Sequence, residues 1–308
     1  MPITESRILV TGGGGFVGSH LVERLLADGN DVRVVDNLSN GTESWIPEDA
    51  ELVVGDLTEQ ATLDEAVTAD IDLVFHLAAD KDASRDDIAQ FRSNNRLTEE
   101  LLERMEAVGV DNIAFTSSST VYGEAPRPTP EDYAPLEPIS IYGAGKLAEE
   151  ALLSVYGHSH GFTVWNFRFA NVVGSRLRGA VVPDFIEKLR ADPATLEILG
   201  DGRQEKSYLF IDDCIDAMLT VVEQTAKPVN TFNLGTRTTT SVDRIATIVA
   251  DEMGVDPSRE YTGGKRGWTG DVPKMRLSIE KLAALGWEPT VSSDEAIRRT
   301  TRTLLEEL

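Results

Sequence analysis

Tyr142 and Lys146 stand four residues apart in the run Tyr142-Gly143-Ala144-Gly145-Lys146. On a helix that spacing puts both side chains on one face. An ammonium beside a phenol favours phenolate and draws the pKa down from about 10, which makes Tyr142 a candidate general acid and base. Upstream lies a hydroxyl-rich run, Thr116-Ser117-Ser118-Ser119-Thr120-Val121-Tyr122-Gly123. A hydroxyl there can bond a substrate oxygen and share its proton with Tyr142. Near the start of the chain, Thr11-Gly12-Gly13-Gly14-Gly15-Phe16-Val17-Gly18 spaces Gly12, Gly15 and Gly18 evenly, three apart. A loop of this kind ahead of a helix offers free amides and a positive dipole end to a pyrophosphate. Asp36 ends the next apolar run, where a carboxylate accepts ribose hydroxyls and repels a 2′-phosphate. No Arg follows it in Asn37-Leu38-Ser39. NAD is therefore expected rather than NADP.

These groups need elements to hold them. Residues 7–11 form a short apolar run that ends in the glycines. Residues 16–27 read as a helix, with Val17, Leu21 and Leu25 four apart, stopped by Gly29 and Asn30. Further strands are expected at 31–36, 52–54, 73–77, 112–116 and 163–169, and long helices at 92–108 and 142–158. The hydroxyl-rich run then follows a strand, and the Tyr142–Lys146 pair heads a helix. Strands separated by helices predict an α/β fold, a doubly wound parallel sheet of Rossmann type. Past Asn171 the pattern loosens, with helices expected at 185–190, 212–223, 241–253 and 294–307. This predicts a nucleotide-binding domain over 1–170, completed by about 207–235. A smaller C-terminal α/β substrate domain would occupy most of 171–308.

Taken together, TGGGGFVGSH, DNLS at 36–39, GDL at 55–57, HLAA at 76–79, SSSTVYG and YGAGK resemble the extended short-chain dehydrogenase/reductase family. The chain is most similar there to NAD-dependent nucleotide-sugar epimerases of the UDP-glucose 4-epimerase type, over about residues 7–289. That resemblance implies a catalytic set of Tyr142, Lys146 and Ser118, with Ser119 as the rival hydroxyl. It implies a cofactor site of Gly12, Gly15, Phe16, Val17, Gly18, Asp36 and Asn37. Asp56 and Leu57 would lie at the adenine, Leu77, Ala78 and Ala79 in the groove, and Asn94 nearby. Asn171, in Arg168-Phe169-Ala170-Asn171, would contact the substrate diphosphate, and Val182, Pro183 and Phe185 would border the base. Lys206 stands where the family's G-D-G-x-Q-x-R has arginine, so it keeps the charge and loses the bidentate fork. Arg266 would be a second diphosphate ligand, with Asp271 ordering its loop. The reaction implied is transient oxidation at the sugar C4 and return of hydride, without metal. The alternatives are a uronate epimerase or decarboxylase and a net sugar dehydrogenase. A 4,6-dehydratase usually carries an Asp-Glu pair beside the serine, and residues 116–120 hold neither acid.

Composition narrows the setting. The chain has 308 residues, 41% hydrophobic, enough for a sizeable core. No apolar run approaches membrane-spanning length, and residues 1–7 lead straight into an apolar strand without a signal-peptide pattern. Cys214 is the single cysteine, and no Cys/His cluster has zinc-ligand spacing. A cytoplasmic protein is expected. Asp and Glu number 52 against 29 Lys and Arg, a net charge of −23. Such a field repels nucleic acid and anionic lipid. The acids are scattered, and 21 of the cations are Arg against 8 Lys. That composition is similar to haloarchaeal proteins, so adaptation to high salt is expected. The family resemblance also implies a homodimer built on two helices per subunit, here those carrying Leu97, Leu101, Leu102 and Met105, and Leu147, Ala151, Leu152 and Val155.

Overall fold

The structure is a computed structural model that describes residues 3–80 and 87–308. In chain order the first elements are β1 (Arg7–Thr11), α1 (Phe16–Ala27), β2 (Asp31–Asp36), β3 (Glu51–Val54), α2 (Gln60–Ala66), β4 (Leu73–His76), α3 (Ile88–Val108), β5 (Asn112–Ser118), α4 (Ile141–Ser159) and β6 (Thr163–Phe169). They continue with β7 (Asn171–Val173), α5 (Val181–Ala191), β8 (Thr195–Ile198), β9 (Glu205–Lys206), β10 (Tyr208–Phe210), α6 (Ile211–Gln224) and β11 (Val229–Leu234). Last come β12 (Thr240–Ser241), α7 (Val242–Met253), β13 (Ser258–Tyr261), β14 (Lys274–Met275), α8 (Glu280–Ala283) and α9 (Ser293–Glu307).

The chain forms two compact units. The first takes residues 1–118, 141–168 and 215–232, and the second takes 119–140, 169–214 and 233–308. The segment between β5 and α4 thus groups with the second unit.

The main sheet is seven-stranded and parallel, in the order β11-β6-β5-β4-β1-β2-β3. This is the Rossmann-type fold that strand–helix alternation predicts. The order reverses between β1 and β4, which pair as Thr11↔His76 at their C-terminal ends. In such sheets ligands bind outside the strand ends at that switch point. Strands covered on both faces read as continuous apolar runs, as β1 and β4 do. Arg33 interrupts the run of β2 and is buried nonetheless. Its Nη1 donates to the carbonyls of Glu65 and Ala66, each at 3.1 Å, and to Thr68 Oγ1 at 2.8 Å. The cation thereby satisfies the last carbonyls of α2.

Helix α3 starts at Asp87, whose carboxylate accepts from the Ala89 amide, and ends at Gly109 in the left-handed conformation. Its Leu101, Leu102 and Met105 are fully buried in the core of the first unit. Each such side chain contributes on the order of 1.5–3 kcal/mol of burial. The three are therefore held within the core, whereas Leu147 of α4 is partly exposed and Ala151 and Val155 are exposed.

In the second unit α5, α7 and α9 pack together, with Ile245, Ile248 and Val249 of α7 and Ile297 and Leu304 of α9 buried. Glu252 joins the last two, accepting from Arg298 at 2.6 Å and Arg302 at 2.7 Å. No helix among the described residues is long and apolar enough to cross a membrane.

Candidate active site

At Gly12 and Gly18, where β1 turns into α1, nothing larger than glycine fits. A Cβ on Gly18 would lie 2.2 Å from the Gly12 carbonyl oxygen. Gly12 has φ +69, and a Cβ there would lie 2.8 Å from the Ala78 amide nitrogen. The helix start is thus pressed onto the strand, and the loop lies against the chain that follows β4. Asp36 closes the opposite side. Its Oδ2 accepts from the Gly14 amide at 2.9 Å and its Oδ1 from the Leu38 amide at 2.8 Å. Asp56 sits beside Asn37, with its carboxyl held below the usual range by hydrogen bonds from the Thr58 amide and hydroxyl and from Asn37. Gly15 and Val17 are partly exposed at the head of α1, and Phe16 is buried. Leu77, Ala78 and Ala79 are partly exposed after β4, whereas Leu57 is buried in the core. Asn94 is buried and clamps the chain beyond them, accepting from the Asp80 amide at 2.8 Å and donating to its carbonyl at 3.0 Å. The tight loop, the helix start and the acid on β2 fit a dinucleotide.

The first unit also brings together the end of β5 and the start of α4. The strand runs further than expected, through Ser118. Ser117 points into the protein and donates to Glu150, whose carboxylate also receives Arg168 Nε at 3.0 Å and Nη2 at 2.6 Å. That buried fork ties α4 to β5 and β6. Ser118 is partly exposed at the strand end, and Ser119, buried, opens a short turn in the second unit. Tyr142 and Lys146 fall in the first turns of α4. Lys146 is almost fully buried, its Nζ 3.3 Å from Glu149 Oε2 and 4.5 Å from the Phe115 ring centroid. Burial, and then the Glu149 charge, hold the Tyr142 phenol above its ordinary pKa. This corrects the expectation of a phenol lowered by its lysine. The ammonium is answered by a carboxylate three residues on, and the spacing of Tyr142 and Lys146 carries no sign of it.

The substrate-side candidates lie in the second unit. Asn171 is on β7, and its side chain bonds Tyr208 of the neighbouring β10. Val182 and Phe185 are buried side chains of α5, so what they offer is the packing of that helix. Lys206 on β9 has its Nζ 2.5 Å from Asp271 Oδ1 and 4.9 Å from the Trp268 ring centroid. Arg266 donates to the Asp271 carbonyl at 3.1 Å and pairs with Glu124. Asp271 also accepts from the Gly267 amide at 3.0 Å, so one residue organises the loop and both cations. Beside it is a cavity of about 480 Å³ bordered by Arg127, Arg203, Lys265 and Lys274 against Glu124 and Asp201. Glu124 and Arg127 carry no motif signal. Their place follows only from the folding of 119–140 with the second unit.

The family described as "NAD dependent epimerase/dehydratase family" matches residues 8–235, well over half of the chain. The chain belongs to this family. UDP-glucose 4-epimerase of Mycolicibacterium smegmatis is 34% identical over 309 residues, covering 96% of this chain and 97% of that protein. A crystal structure of a UDP-galactose 4-epimerase superposes with a TM-score of 0.90 at 41% identity, covering 98% and 99% of the two chains. The Thermus thermophilus UDP-glucose 4-epimerase in complex with NAD gives a TM-score of 0.88 at 32% identity, covering 98% and 100%. Members of this family are NAD-dependent, so the dinucleotide that the β1–α1 loop fits is NAD.

Proposed function

We propose that this family member is a nucleotide-sugar 4-epimerase that interconverts UDP-glucose and UDP-galactose. The observation that carries the reading is the Tyr142–Lys146 pair at the head of α4, in one unit with Ser118 at the end of β5 and the dinucleotide loop. When bound, NAD supplies the acceptor and then the donor of hydride at the sugar C4. Tyr142 takes the proton of the sugar 4-hydroxyl and later gives it back. Ser118, or its neighbour Ser119, orients the oxygen. Lys146, on the same helical face as Tyr142, would bond the nicotinamide ribose. Lys206, Arg266 and Asn171 anchor the diphosphate while the keto sugar turns over, and Val182 and Phe185 seat the helix on the base side. Four cations around one cavity, in a chain of net charge −23, support an anionic ligand there. Product analysis by NMR with a panel of UDP- and dTDP-sugars tests this. Inversion at C4 is expected for UDP-glucose and UDP-galactose. Turnover confined to UDP-glucuronate, or net oxidation of a free sugar, would replace the epimerase reading with one of its alternatives.

The chain is proposed to work in the cytoplasm at high salt. At −23 its scattered carboxylates repel one another, and counterions screen that repulsion within about 3 Å at molar salt. Thermal unfolding should shift upward as KCl rises from low to molar concentration. An unchanged midpoint would count against it.

The assembly is proposed to be a homodimer through the α3–α4 face, where Leu147, Ala151 and Val155 are available. Light scattering across salt concentrations should return twice the 33.6 kDa chain mass, and a monomer throughout would refute it.

A further inference from the structure

A buried polar chain joins the cofactor groove to the catalytic helix, and its direction can be read off atom by atom. Thr11 Oγ1 accepts from the Leu77 and Ala78 amides, each at 3.1 Å. The Leu77 amide is shared with the Thr11 carbonyl, also at 3.1 Å. Thr98 gives its one proton to Glu149, so Thr98 accepts from His76 and leaves Nδ1 of neutral His76 to accept from Thr11 Oγ1 at 2.8 Å. His76 must therefore carry its own proton on Nε2, which faces Thr98 Oγ1 at 3.1 Å. Thr98 in turn donates to Glu149 Oε1 at 2.7 Å. The other carboxylate oxygen, Oε2, lies 3.3 Å from Lys146 Nζ. Thr98, Glu149 and Lys146 are all 2% exposed or less. Every link is polarised so that the chain ends on an anion set against the lysine.

We propose that Glu149 is a positioning residue of the site: it answers the Lys146 ammonium and sets the pH at which Tyr142 releases its proton. The proposal rests on the reading of Tyr142 as proton carrier. Among the described residues, the other groups facing this cluster are neutral or paired with one another. From β4 comes His76, buried and neutral, with its pKa pushed down to about 3 by burial and by Lys146. From β1 and α3 come uncharged threonines, and from β5 the Phe115 ring and Ser117. On α4 itself, Glu150 is matched by Arg168 of β6. Glu149 follows Tyr142 by seven residues, two turns along one helical face and roughly 10 Å of rise. At that range, in a partly screened interior, one charge moves a titration by about one pH unit. Its direction agrees with the raised Tyr142 phenol.

The test is an ultraviolet absorbance titration of the phenolate in NAD-loaded enzyme, each form referenced to its own Tyr142→Phe counterpart. Glu149→Gln should lower the Tyr142 midpoint by at least about half a pH unit, and the acid limb of the kcat profile should move with it. Glu149→Asp, which keeps the charge, should titrate close to the parent. If Glu149→Gln does not fold, the comparison passes to Lys146→Met alone and with Glu149→Gln added. The double variant buries no lone charge, and its midpoint should lie below that of the single one. Coincident midpoints, or a rise on removing Glu149, would overturn the proposal. The titration needs no turnover. It can therefore fail while Tyr142→Phe still abolishes activity, and it still reads out if the substrate reading falls.

Discussion

Tyr142→Phe should cut turnover by at least about 10²–10⁴-fold, the usual worth of a positioned general acid and base. The substitution removes the one proposed proton carrier and keeps the ring. Tyr142 is only partly exposed, at the head of a helix whose buried contacts come from other residues, among them Lys146, Glu149, Glu150 and Leu153. Fold, NAD content and nucleotide-sugar binding should therefore survive. Steady-state kinetics with circular dichroism and a UDP-sugar binding isotherm separate these effects. Lost binding of both cofactor and sugar would point to misfolding. Near-full activity would make the whole assignment of the site wrong.

Glu150→Ala should cost about 3–5 kcal/mol of stability, because it removes the carboxylate that answers the buried Arg168 guanidinium. Arg168 and Glu150 are each 7% exposed at the side chain, and the fork between them is bidentate. The same change also strips Ser117 of its acceptor. By contrast, the exposed pair of Arg24 with Asp28 on α1 should be worth less than about 1 kcal/mol. Urea unfolding of the two alanine variants, Glu150→Ala and Asp28→Ala, measures the difference directly. A Glu150→Ala midpoint as close to the parent as that of Asp28→Ala would contradict the structural role given to the fork.

Much of the first unit is legible in sequence because parallel strands covered on both faces are nearly pure apolar runs. Residues 31–36 coincide with β2 despite Arg33, and residues 16–27 with α1, whose Val17, Leu21 and Leu25 recur at helical spacing. β5 is harder to bound. Ser117 and Ser118 look like loop residues, yet Ser117 is held in the strand by a carboxylate from α4. The seven-residue α2 carries too few turns to show a period. The second unit builds its sheets from strands as short as two residues, β9, β12 and β14, whose pairing no local pattern announces.

The site divides the same way. Gly12, Gly18, Asp36, Tyr142 and Lys146 are legible because their chemistry fixes a local spacing. Glu149 is not, since a glutamate in the middle of a helix ordinarily faces water, and only the packing of α4 against α3 and β5 buries this one. The tie of Arg266 to Glu124 spans 142 residues and belongs to tertiary structure alone.

The central claim is that hydride taken from C4 returns to the same sugar. Its most direct measurement follows UDP-galactose by NMR while nicotinamide absorbance is recorded in the same sample. The account predicts that UDP-glucose accumulates to an equilibrium mixture with no net NADH, and that the Tyr142→Phe enzyme leaves UDP-galactose unchanged. Stoichiometric NADH formed from a sugar, with no interconversion of the UDP-sugars, would contradict it.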